Sequence, residues 1–124
     1  MGDTLLAYSI LYIEEAVATT YSTQTRDTLT VLAQQIAAAR RERQWTAENL
    51  AQRAGISRVT LSKIEHGDPK VAIGTVFEVA TLLGVPLFGA TRAEIAGLVE
   101  RGRERLALLP ERVREPKVEI DDDF

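Results

Sequence analysis

Residues 45–67 read WTAENLAQRAGISRVTLSKIEHG, and this stretch decides the fold. Its pattern is helix, tight turn, helix. Thr46 is a good N-cap, and Leu50, Ala51 and Ala54 make an apolar stripe on the helix it opens. Gly55 falls where that helix should stop, because glycine tolerates the left-handed conformation of a helix end. Ser57 can cap a second helix running to about His66. On it Leu61 and Ile64 face one way, while the pairs Arg58/Ser62 and Val59/Lys63, each four residues apart, share other faces. A short helix with one apolar edge and with Arg, Ser, Val and Lys on the other suits the major groove of DNA.

Upstream, Leu29, Leu32, Ile36 and Ala39 recur at three- and four-residue intervals, which predicts a helix from about Arg26 to Arg43. The polar stretch 19–25, TTYSTQT, reads as a linker after a loosely attached amphipathic helix in residues 4–20. Trp45, the only Trp, is expected to cover the core. Downstream, Asp68-Pro69-Lys70 is turn chemistry, and Ile73, Val76, Phe77, Ala80 and Leu83 mark another helix closed by Gly84. A short turn at Pro86–Gly89 is expected to pack Leu87 and Phe88 inward and to complete a five-helix globule. A further helix follows from about Thr91 to Leu109, with Ile95, Leu98, Val99, Leu106 and Leu109 close to one face and Gly102 among them. It reads either as a solvated helix or as a dimer contact. Pro110 ends it, and Pro116 keeps the tail from continuing as helix. The expected organisation is therefore 1–25 N-terminal helix and linker, 26–90 the helical DNA-binding domain, 91–109 the C-terminal helix and 110–124 an acidic tail.

The 124 residues suit one domain with appendages, and a hydrophobic content of 45% is enough to build its core. With no Cys, thiol catalysis, disulfides and Cys-ligated zinc are excluded, and one His cannot build a His-rich metal site. No apolar run approaches the ~18 residues of a membrane span, and the start lacks the positive region of a signal peptide, so a cytoplasmic protein is expected. The carboxylates, such as Glu14-Glu15 and Asp121-Asp122-Asp123, form no matched acid and base, so no enzyme and no cofactor are expected. The net charge of −3 is unevenly spread: −3 over residues 1–28, +2 over residues 29–90 and −2 over residues 91–124. The cations lie around the two-helix stretch, where phosphate contacts would need them.

The residues Leu50-Ala51, Ala54-Gly55-Ile56-Ser57, Leu61-Ser62-Lys63-Ile64-Glu65 and Gly67 resemble the helix-turn-helix of the Xre/Cro-like repressor family, and the resemblance runs from Arg40 to Val85. It implies an all-α, lambda-repressor-like fold. Together with the shared face, it makes Arg58, Val59, Ser62 and Lys63 the expected base-contacting residues and Arg41, Thr46 and His66 the expected phosphate contacts. It also implies that Arg40 and Glu65 form a structural ion pair. One position departs: the family often has Gln at the first residue of the first of the two helices, where Ala47 stands here. Proteins of this kind usually bind inverted-repeat DNA as symmetric homodimers.

From residue 29 onward the chain also resembles the HipB-like antitoxins. Those pair such a domain with a tail of the form Leu-Pro-x-x-Val-Arg followed by acids and Phe; here these are Leu109-Pro110-Glu111-Arg112-Val113-Arg114 and Asp121-Asp122-Asp123-Phe124. This resemblance implies a HipA-like serine/threonine kinase toxin as partner and repression of a shared operon. Val118, Ile120 and Phe124 are the expected partner-binding residues, because Lys117–Ile120 alternates like a strand that could add to an exposed sheet edge. The alternatives are a stand-alone dimeric repressor with no toxin and a tail that is only a solubilising end.

Overall fold

A computed structural model describes residues 20–116. The expected helix over residues 4–20, apart from Thr20, and the tail residues Val118, Ile120 and Phe124 lie outside them. The described part is all-α: α1 Thr23–Glu42, α2 Ala47–Ala54, α3 Arg58–Glu65, α4 Ile73–Leu82 and α5 Arg92–Ala107. The chain divides into two compact units, Met1–Val85 and Pro86–Phe124.

In the first unit α3 packs on both α1 and α2, and α2 also packs on α4. The core is made by Ala33 and Ile36 of α1, Leu50 and Ala51 of α2, Leu61 and Ile64 of α3, and Val79, Ala80 and Leu83 at α4, with Val85 beside them. Burying one such Leu or Ile contributes about 1.5–3 kcal/mol. Ser22, not a residue near Arg26, opens α1: its hydroxyl accepts from the Thr25 amide at 3.2 Å. The segment expected to be a linker therefore supplies the first turn of helix. Ile73, expected in the core, is 69% exposed. It stands in the first turn of α4, and the inward face of that helix is carried instead by Val79, Ala80 and Leu83.

Four helix ends share one backbone device. After α1, the Gln44 amide donates to the Arg41 carbonyl and the Trp45 amide to the Arg40 carbonyl. The same pair of bonds follows α2 (Gly55 to Gln52, Ile56 to Ala51), α3 (Gly67 to Ile64, Asp68 to Lys63) and α4 (Gly84 to Thr81, Val85 to Ala80). This double bond pattern satisfies two carbonyls that the helix itself cannot and turns the chain sharply. It needs one residue at positive φ. Three of the four stops use glycine, and the first uses Gln44 at φ 58°. At Gly67 the approach is close as well: an added Cβ would lie 3.5 Å from the backbone of Leu29 and Thr30.

In the second unit Leu87 and Ala90 close a two-residue turn whose central residues, Phe88 and Gly89, have φ 55° and 65°. Phe88 is 80% exposed, so the expected inward-packed residue points out instead; the reversed twist of this turn sets its direction. Helix α5 starts at a capping box: the Thr91 hydroxyl accepts from the Glu94 amide, and the Glu94 carboxylate accepts from the Thr91 amide. It ends at Ala107, two residues before the expected limit, and none of its residues is buried.

Candidate nucleic-acid interface

Two caps fix where α3 sits. Thr46 accepts from the Asn49 amide at 3.0 Å and starts α2. Ser57 accepts from the Thr60 amide at 3.0 Å and starts α3 only two residues after the Gly55 stop. Leu61 and Ile64 then pin one side of α3 to the core. A helix turns about 100° per residue, so the opposite stripe holds Arg58, Val59, Ser62 and Lys63, all exposed. His66 continues that stripe one turn on as the C-cap residue. Its Nδ1–H donates to the Ser62 carbonyl at 2.6 Å, which fixes the ring and leaves Nε2 directed away from the helix end.

Beside α3 runs a groove of about 600 Å³ lined by α1, the start of α2 and α3. Arg41, Arg58, Val59, Ser62 and His66 all border it. Five of the seven expected DNA-contacting residues thus meet on one concave surface. Thr46 and Lys63 do not line it. Thr46 is engaged as the α2 cap, and Lys63 borders a second groove on the other side of α3 with Thr60, Asp68, Lys70, Val71, Ala72 and Thr75.

The acid at the first groove is Glu65, and its charge is held internally. Arg40 Nε donates to Glu65 Oε1 at 3.0 Å, and Arg40 Nη1 donates to the Trp45 carbonyl at 2.9 Å. One guanidinium therefore links α1, the turn before α2 and the end of α3. The two side chains are 15% and 11% exposed, so water screens the pair weakly. With Glu65 neutralised, the groove presents a positive field from Arg41 and Arg58, the polarity that a phosphate backbone requires.

Three features were not read from the sequence. Lys70 and Thr75 join Lys63 at the second groove. The start of α4 also borders it, and no side chain caps that start, because the residue in the N-cap position is Ala72. Ala72 in place of Ser, Thr or Asp was the signal available for that open end. Trp45 is half-buried and carries the Arg53 guanidinium 4.1 Å above its ring, with Asn49 Oδ1 accepting from Arg53 Nε at 2.6 Å. The indole covers core on one side and stacks on an arginine on the other.

The family model described as helix-turn-helix matches residues 36–89. Residues 36–89 are an Xre-like helix-turn-helix domain. The match covers the end of α1, all of α2, α3 and α4, and the turn after them. Domains of this kind bind DNA in a sequence-specific way, with the second helix of the motif as the reading element; here that helix is α3. No curated protein and no solved structure gave a match to the chain. Among the described residues no helix is long and apolar enough to cross a membrane, and no cluster of His, Asp or Glu has the makings of a metal site.

Proposed function

We propose that the protein is a transcriptional regulator that binds an inverted-repeat operator as a symmetric homodimer and represses from it. The observation that carries this reading is the exposed stripe of Arg58, Val59, Ser62 and Lys63 on a helix whose opposite edge is locked into the core. Arg58 has the two-pronged donor geometry that reads guanine, Val59 suits the thymine methyl, and Ser62 serves either base type. Arg41 and His66 flank the stripe at the height of the sugar-phosphate backbone, with Thr46 at the start of α2. An eight-residue helix reaches only a few base edges, so specificity at the nanomolar level calls for two copies on two half-sites. Protection of a palindromic site by the full chain, lost in a variant with Arg58, Ser62 and Lys63 replaced by Ala, tests the reading; equal binding of that variant would overturn it.

A second function extends the first: an antitoxin that also holds a HipA-like serine/threonine kinase. It is favoured by the segment Leu109–Arg114, which follows the end of α5 with Leu109 and Val113 exposed. In this reading the extended residues Lys117–Phe124 add to a sheet edge of the kinase, with Phe124 as anchor and Val118 and Ile120 in register. Deleting residues 117–124 should abolish kinase capture and leave operator binding intact. Undiminished capture by the truncated chain would remove the tail from the mechanism and leave the stand-alone repressor.

A further inference from the structure

Helix α5 carries a seam that the chain itself leaves open. At about 100° per residue, Ile95, Leu98, Val99, Gly102 and Leu106 fall within one stripe, and Leu109 and Val113 prolong it past the helix end. Val99 is 50% exposed, and Leu106, Leu109 and Val113 are exposed too. A contiguous apolar face of this kind marks a contact surface.

Two observations say what covers it. The first is Gly102. Mid-helix glycine costs about 1 kcal/mol relative to alanine, yet a Cβ built on Gly102 would meet nothing within 4 Å. Neither its backbone angle nor its neighbours in this chain ask for glycine. A close crossing by another helix would. The second is charge. On one flank of the seam Glu94 stands at the start of α5 and Arg105 at its end. A helix with an acid at one end of its flank and a base at the other is complementary to its own reversed copy.

We infer that α5 pairs antiparallel with α5 of a second copy, crossing near Gly102 and burying the Ile95–Leu106 stripe in both. A two-fold axis between residues 100 and 101 sets Ile95 against Leu106 of the second copy, and Val99 against the space that Gly102 leaves. Each pairing occurs twice by symmetry. Glu94 then meets Arg105 of the other copy, also twice, while Glu100 and Arg103, paired within one helix at 3.4 Å, stay on the solvent side. The inference deepens the dimeric reading above by naming its surface.

The test is sedimentation of the full chain and its variants across nanomolar to micromolar concentration, with far-ultraviolet circular dichroism as the control for folding. Val99→Glu, which sets two carboxylates at the crossing, should weaken dimerisation by about a hundredfold with helix content unchanged. Gly102→Leu should raise the helix content of α5 and yet weaken the dimer by roughly tenfold, because the crossing can no longer close. Arg105→Glu should weaken it several-fold, and adding Glu94→Gln, which keeps the capping box, should recover part of the loss. A wild-type dimer that none of these variants weakens overturns the α5 seam and leaves the dimeric reading standing. A wild-type chain that stays monomeric throughout, free and on operator DNA, overturns both. If the chain alone is monomeric and Val99→Glu instead abolishes capture of a co-expressed kinase, the face belongs to that partner and self-pairing is overturned.

Discussion

Replacing Glu65 with Ala tests how the recognition helix is held. The carboxylate accepts from Arg40 Nε at 3.0 Å, and the same guanidinium donates to the Trp45 carbonyl at 2.9 Å. Breaking a fully buried pair by removing one partner costs about 3–5 kcal/mol, because the remaining charge is stranded. Here the two side chains keep 15% and 11% of their exposure, and Arg40 retains its bond to Trp45, so the lower end, about 3 kcal/mol, is expected. In a domain of this size each kcal/mol shifts the melting midpoint by about 4–8 °C, so Glu65→Ala should melt roughly 12–24 °C lower. Arg40→Met should cost more, since it strands both the Glu65 carboxylate and the Trp45 carbonyl. The double variant Arg40→Met/Glu65→Leu should melt above either single one, because both charges leave together. Fluorescence of Trp45, the only Trp in the chain, reports the transition from beside the pair. A shift under about 3 °C for Glu65→Ala, or strict additivity in the double variant, would refute the reasoning.

Arg58→Ala should lose about 1–3 kcal/mol of specific binding and relax selectivity at one base pair, measured by competition between operator and scrambled duplexes. Arg41→Ala should weaken binding to all sequences alike and reduce the slope of log affinity against log salt by about 1. Gln44→Gly should raise stability by about 0.5–1 kcal/mol in chemical denaturation, because it relieves the one α-helix stop held by a left-handed residue with a Cβ. Gly67→Ala should lower it by about 1–2 kcal/mol, since the new Cβ meets both a positive φ of 72° and the backbone of Leu29 and Thr30.

The motif was legible where local chemistry and burial agree. Thr46, Gly55 and Ser57 each act within three residues of themselves, and Leu61 and Ile64 lie on one side of a regular helix, so their roles can be read from the string alone. The start of α1 was not legible, because Thr23, Gln24 and Thr25 carry no apolar signal and only the Ser22 hydroxyl declares the helix. Ile73 and Phe88 are apolar residues left outside the core, one by its place in the first turn of α4 and one by the twist of a tight turn. Hydrophobicity alone does not distinguish such residues from those inside. Lys70 and the uncapped start of α4 reach the second groove through tertiary placement, which no spacing rule encodes.

The repeated helix stop has a consequence for how such a protein can diversify. Its bonds run from backbone amide to backbone carbonyl, and each asks only for one residue able to turn left. The side chains of the α3 stripe take no part in setting the angle at which that helix is presented. An exchange of Arg58, Val59 or Ser62 therefore rewrites what is recognised without moving the frame that offers it. Selection can search new target sequences through these positions while the stops hold the aim constant. A library randomised there should return variants that melt like the parent and differ only in the duplex they retain.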